Sequence, residues 1–164
     1  MVANGKLYFT KKGVEKLELK IKRDEESLEQ LQAKTAEVAE TGGNQWHDNA
    51  SFEKLTEDMR GLRHRISAAK ESLRYALVVD PPDNCEYVAI GASVKVMVNH
   101  HEETWTIAGY GESDFDQNII AYNAPLATLI MGKRTGDVVS GKAGRRHVEV
   151  KILDIGGAED VCGT

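Results

Sequence analysis

The stretch VEKLELKIKRDEESLEQLQAKTAEV, residues 14–38, sets Val14, Leu17, Ile21, Leu28, Leu31 and Val38 at alternating steps of three and four. Asp24 and Thr35 fill the two other positions of that rhythm. A second stretch, FEKLTEDMRGLRHRISAAKESLRYA at residues 52–76, repeats it with Phe52, Leu55, Met59, Leu62, Ile66, Ala69, Leu73 and Ala76. Apolar residues on this period give a helix one narrow stripe that needs a partner helix to cover it. Gly42 and Gly43 end the first run, since glycine is favoured just beyond a helix C-terminus. Two helices joined by so short a polar break fold back as an antiparallel hairpin. Helices of roughly 28 residues reach about 42 Å. Leu7 to Phe9 reads as an extended lead-in, Thr10 as the N-cap of the first helix, and residues 49–76 as the second helix. Gly61 inside it costs about 1 kcal/mol against alanine.

The break carries Asn44-Gln45-Trp46-His47-Asp48. Asp48 stands where the second helix begins, and Asp is a favoured cap worth ~1 kcal/mol. Two readings stay open for it: a pure cap, or a cap that also faces a metal ion or RNA. Trp46 either folds back on Val38 or Phe52, or meets a nucleobase or a protein loop; base–aromatic stacking is worth ~1–3 kcal/mol. Glu37 and Glu40 lie one turn below and either lend charge or are solvated.

Asp80-Pro81-Pro82-Asp83-Asn84 marks a boundary, because two prolines cannot continue a helix. Beyond it the period falls to two. Val94, Val96 and Val98 alternate with Ser93, Lys95 and Met97, and Trp105 and Ile107 with Thr104, Thr106 and Ala108. His147 to Ile155 repeats the pattern through Val148, Val150 and Ile152, with the phase of Leu153 left open. These are half-buried antiparallel strands. Pro125 to Met131 reads as a short helix with Pro125 in its first turn and Gly132 closing it. The expectation is an α+β chain: residues 1–79 as a coiled-coil hairpin with a functional tip at about 42–48, residues 80–155 as an antiparallel sheet carrying one short helix, and residues 156–164 as a loose tail. His100-His101 reads as a turn between strands.

The net charge of −5 is uneven. Residues 10–77 carry 13 basic and 13 acidic side chains, whereas residues 78–164 carry 7 against 13. That balance argues against recognition of specific duplex DNA. Arg60, Arg63, His64, Arg65, Lys70 and Arg74 form a basic stretch on the second helix, either paired with the acidic first helix or free to meet phosphates or an acidic groove. No apolar run reaches the ~20 residues that span a bilayer, and no secretory leader is evident. Cys85 and Cys162 match no metal or disulfide framework, and free thiols suit a reducing, cytoplasmic setting.

Several further motifs, in order, carry a resemblance. Tyr8-Phe9-Thr10-Lys11-Lys12-Gly13 with Leu17 opens the chain, Asn49-Ala50-Ser51-Phe52 follows the break, and Val78-Val79-Asp80 leaves the coiled coil. Asn123-Ala124-Pro125-Leu126-Ala127 and Met131-Gly132-Lys133-Arg134-Thr135-Gly136-Asp137 lie in the second half. Together they resemble the bacterial Gre transcript-cleavage factors, GreA and GreB, from Leu7 to about Ile155. The resemblance implies a C-terminal domain of FKBP-like fold that docks on the rim of the secondary channel of RNA polymerase, with Pro125, Leu126 and Gly132 as docking residues. It also implies a coiled coil that threads the channel towards the 3′ end of nascent RNA, with Arg60, Arg63 and Arg65 facing RNA or polymerase. The resemblance implies no stably bound cofactor of the chain's own; in that family tip carboxylates help hold a Mg²⁺ shared with the polymerase active site, and the polymerase cleaves a backtracked transcript. The protein is then an accessory factor and not itself an enzyme.

Two-metal hydrolysis needs charge at both the attacking and the leaving oxygen, which is why the family pattern Gly-Asp-x-x-Glu-Asn-Ala-Glu-Tyr carries two acids. Here Asp48 stands for the Glu, and Gln45, or Asn44 after a one-residue shift, stands for the Asp. An amide brings no charge. His47 has an unperturbed pKa near neutrality, but Mg²⁺ prefers oxygen. A cleaving factor and a non-cleaving modulator or inhibitor of polymerase therefore both remain open. An FKBP-like prolyl isomerase is the remote alternative, with Tyr87, Trp105, Tyr110, Phe115 and Tyr122 as its only aromatic material.

Overall fold

The computed structural model describes residues 5–41, 50–82 and 85–157. The chain groups into two compact units, residues 15–75 and residues 1–14 with 76–164.

In the helical unit, α1 (Lys11–Thr41) and α2 (Ala50–Arg74) carry the heptads. Ile21, Met59, Leu62 and Ile66 are buried. The other described seam positions from Leu17 to Leu73 are half-buried, and most residues between them are exposed. The two polar seam positions are accommodated as well. Asp24 Oδ2 lies 3.6 Å from Arg65 Nε. Thr35 Oγ1 donates to the Leu31 carbonyl at 2.7 Å and lies 3.9 Å from Met59 Sδ. Glu25 meets Lys70 at 2.6 Å. Partners fall from residues 65–70 to residue 59 as α1 rises from 24 to 35, so the helices run antiparallel. Ser27, Thr56 and Ser72 return their hydroxyls to carbonyls one turn back, which satisfies them without leaving the helix.

The expected second helix runs two residues too far, since α2 ends at Arg74. Ala76 is not a seam residue; it opens β2 (Ala76–Val78), which pairs in parallel with β1 (Leu7–Phe9) in the register Leu7↔Ala76 and Phe9↔Val78. The Val79 N–H also donates to the Phe9 carbonyl at 2.9 Å, and the Tyr110 N–H to the Tyr8 carbonyl at 2.7 Å. These bonds tie β1 and β2 to the sheet unit, whereas the sequence assigned all of residues 1–79 to the hairpin. Phe9 is 1% exposed and meets Tyr110 edge-on at 5.9 Å.

The main sheet is formed by β3 (Ala92–Val98), β4 (His101–Ala108), β5 (Ile119–Ala121), β6 (Val138–Ala143) and β7 (Arg146–Gly157). Its order is β5-β4-β3-β7-β6. It is antiparallel except for β4 and β5, which run parallel with Ile107 opposite Ile120. The chain between them doubles back through a 3-10 turn, Phe115–Gln117, capped by Asp114 and closed by Asn118 at φ +54. Short β5 and β6 escape a period-two reading because each offers too few alternations. β7 is long and bulged: Lys95 faces Asp154 but Val96 faces Ile152, so Leu153 is the extra residue. The bulge resets the phase, which buries Ile155 after Val148, Val150 and Ile152. β7 also continues through Gly157, past the expected start of the tail, and residues 158–164 lie outside the described residues.

α3 (Pro125–Ile130) starts with Pro125 at N1, where no N–H is needed. Gly132 follows at φ +72, a conformation that favours glycine. Ala127 and Ile130, both 0% exposed, seat the helix on the core of Val88, Val94, Val96, Ile107 and Ile152. Leu129 lies against Gly141 of β6.

Candidate functional site

Asn44, Gln45, Trp46, His47 and Asp48 lie in segment 42–49, outside the described residues. Chain connectivity places this segment between α1 and α2. Its donor chemistry follows from sequence alone: one carboxylate, Asp48, beside the neutral amides of Asn44, Gln45 and Asn49 and the imidazole of His47. That set does not fit a two-carboxylate clamp on Mg²⁺, which needs charge to hold a hard cation. Among the described residues, no group of three or more His, Cys, Asp or Glu is placed to hold a metal ion.

The basic stretch of α2 divides in two. Arg65 and Lys70 are engaged with Asp24 and Glu25 across the seam. Arg60 and Arg63 are exposed and, among the described residues, form no ion pair. Spaced by three, they share one helix face. The geometry thus leaves Arg60 and Arg63 free to meet an external anion, while Arg65 is partly committed to holding the hairpin.

In the sheet unit Pro125 and Gly132 are exposed at the two ends of α3, and Leu126 is half-buried against the core. The Gly132 N–H donates to the Val88 carbonyl at 2.8 Å and the Val88 N–H to the Lys133 carbonyl at 2.8 Å, which fixes the end of the helix. The aromatic side chains considered for an isomerase pocket separate into different pairs. Trp105 meets Phe115 edge-on at 6.3 Å and donates its indole N–H to Glu103 at 2.9 Å. Tyr122 meets Tyr8, Tyr110 meets Phe9, and Tyr87 is exposed. His100 sits with Asn99 at positive φ in the turn between β3 and β4.

A junction at the start of α1 escaped sequence reasoning. The Glu112 carboxylate accepts the Thr10 N–H at 2.9 Å and the Thr10 hydroxyl at 2.6 Å. Thr10 Oγ1 in turn accepts the Gly13 N–H at 3.0 Å, the expected N-cap bond. A Cβ at Gly13 or Gly109 would meet Glu112, and at Gly109 it would also lie 2.7 Å from Phe9 Cα. Two glycines therefore make room for one carboxylate. The only local signal is the pair of glycines, 109 and 111, ahead of Glu112.

Comparison with known proteins places these units. Residues 83–156 match the family model described as "Transcription elongation factor, GreA/GreB, C-term". The chain is similar to transcription elongation factor GreA of Thermoanaerobacter pseudethanolicus, 32% identical over 144 residues, covering 82% of this chain and 92% of that protein. GreA of Geobacillus kaustophilus is 29% identical over 164 residues, covering 94% of this chain and 99% of its own length. A crystal structure of GreA factor homolog 1 (Gfh1) of Thermus thermophilus is 20% identical, covers 93% of this chain and 99% of its own, and superposes with a TM-score of 0.43. On the strength of full-length similarity to GreA and the matching C-terminal domain, the chain belongs to the GreA/GreB family of transcription elongation factors.

Proposed function

We propose that the chain works as a Gre-type elongation factor on bacterial RNA polymerase, with α1 and α2 entering the secondary channel and segment 42–49 presented to the active site of backtracked or arrested complexes. The observation that carries this reading is the self-sufficient hairpin. Its apolar stripe is covered from within, by Ile21 on one helix and Met59, Leu62 and Ile66 on the other. Such a hairpin needs no other surface to cover its stripe and is long enough, at about 46 Å for α1, to reach a recessed site. Arg60 and Arg63 would face RNA or polymerase, and Pro125, Leu126 and Gly132 would contribute to docking.

The family role is stimulation of transcript cleavage by the polymerase. A second reading is favoured by one feature of this chain: residues 44–48 hold a single carboxylate, Asp48. On that reading the factor occupies the channel and modulates transcription without completing a metal site. Stalled elongation complexes separate the two. Short 3′ fragments that appear with the protein and vanish with Asp48→Ala establish cleavage. Slowed elongation without fragments establishes modulation. Failure to bind core polymerase in a pull-down removes both.

A further inference from the structure

Charge in the sheet unit is sorted by strand. Residues 101–118, in β4 and the turn towards β5, carry Glu102, Glu103, Glu112, Asp114 and Asp116 with no Lys or Arg. Residues 133–151, around β6 and β7, carry Lys133, Arg134, Lys142, Arg145, Arg146 and Lys151 against Asp137 and Glu149. The strand order puts these groups on opposite edges of the sheet. All six cations are exposed, and none forms an ion pair among the described residues.

The β6–β7 hairpin also outruns its neighbour. β3 stops pairing with β7 at Val98↔Val150, and the Glu149 backbone bonds to Asn99 just beyond. Past that point, Gly141–Ala143 and Arg146–Val148 pair only with each other. The result is a two-stranded ribbon about 10 Å long. Its turn is Gly144-Arg145, with Gly144 at φ +66 as a two-residue hairpin of the II′ kind requires. Lys142 and His147 are register partners on one face, with Arg145 and Arg146 at the end. All four are exposed.

We infer that this basic ribbon is a contact site for the phosphate backbone of a nucleic-acid duplex, independent of base sequence. A two-stranded ribbon fits a duplex groove, and guanidinium groups pair with phosphates in a bidentate fashion. An acidic protein partner would be expected to find an apolar anchor within the patch, because protein interfaces close around a desolvated core. The ribbon end offers only Ala143 and Gly144 between its cations. A single strand would need broad aromatic platforms, and residues 138–151 contain no Phe, Tyr or Trp, only the small ring of His147. The acidic opposite edge repels a duplex and so orients the sheet with β6–β7 towards it. The net charge of the second half hides this site because acids outnumber the cations along the chain, 13 to 7, while the strand order separates the two signs across the sheet.

The test uses the free full chain, so it is separate from polymerase binding. Anisotropy of a labelled short duplex DNA is titrated at several salt concentrations with wild type and with K142Q/R145Q/R146Q. The expected result is a log–log salt slope shallower by about 2 to 3, at ~0.9 per lost phosphate contact, and low-salt affinity reduced at least about tenfold. R145K/R146K should keep the slope. If the triple variant melts early, each single substitution should lower the slope by about 0.9 instead. An unchanged slope overturns the inference. So does equal or tighter binding of a single strand of the same length, or loss of duplex binding in R60Q/R63Q with none in the triple variant. Weakened binding to core polymerase in the absence of nucleic acid, with duplex affinity intact, also overturns it and assigns the ribbon to an acidic protein surface.

Discussion

Glu112 holds Thr10 by two hydrogen bonds, one to its amide and one to its hydroxyl, while Thr10 caps α1 through the Gly13 N–H. The carboxylate thus supports a helix N-terminus through the residue that caps it. Hydrogen bonds to charged groups contribute about 1.5–3 kcal/mol, and a threonine cap about 1 kcal/mol. Glu112→Ala should lower unfolding stability by about 2 kcal/mol in urea titrations. Thr10→Val should cost about as much, since it loses the cap as well as the bond. The double variant should cost less than the sum, because both changes break the same bridge. Full additivity would show that the two side chains act separately.

Asp24 interrupts the seam between Ile21 and Leu28 with its side chain 20% exposed and Arg65 at 3.6 Å. A polar residue at a seam position limits register at a cost in stability. Asp24→Leu should raise the urea midpoint, with a gain on the order of 1 kcal/mol. Arg65 is 58% exposed and can return to solvent, so no charge is stranded. Sedimentation should show whether the variant, with its extended stripe, begins to self-associate. A fall in stability would mean that the ion pair outweighs the apolar contact.

Gly61 lies within α2, and a Cβ built there has nothing within 4 Å. Gly61→Ala should therefore stabilise the helix by up to about 1 kcal/mol, through lower entropy of the unfolded chain. A thermal melt measures it directly. Loss of stability would mean that a side chain at this position is strained or crowded within the folded chain.

Lys95 Nζ lies 2.8 Å from Glu102 Oε2 across β3 and β4. The hydrogen bond and charge of Glu102 raise the Lys95 pKa above its ordinary 10.5, against an opposing effect of desolvation and with a lesser contribution from Asp154. A raised pKa means that folding favours the protonated amine. The contribution is complete below the ordinary lysine value and disappears as pH rises through the raised one. Glu102→Gln should lower stability slightly at neutral pH and not at all in strong alkali, with the difference shrinking as salt is added. A difference that persists at alkaline pH would assign it to packing.

The heptads were legible because each seam position repeats one requirement, burial, over many turns. Ile21 and Ile66 are buried where the period puts them, and Thr10 caps where its type and position suggest. Gly132 also closes α3 as expected, because a positive φ leaves little choice of residue. β5 and β6 were not legible, since three to six residues give no sustained alternation. The phase of Leu153 could not be read because a bulge is set by the partner strand. Ala76 misled for another reason: it keeps heptad spacing, yet pairing with Leu7 overrides the helical period. The partnership of Glu112 with Thr10 depends on chain segments 102 residues apart in sequence, which no local pattern records. Of the candidate site, the lone carboxylate of residues 44–48 is entirely a sequence observation. The freedom of Arg60 and Arg63, in contrast with Arg65, needed the geometry.

The parallel pairing of β1 with β2 has a kinetic consequence. Leu7 can meet Ala76 early only if the long intervening loop closes at an entropic cost that grows with its length. Zippering of α1 against α2 shortens that loop to a few residues at each end. The small sheet should thus form late, as a latch that records completed helix pairing, and a nascent chain halted before residue 76 would have no means to close it.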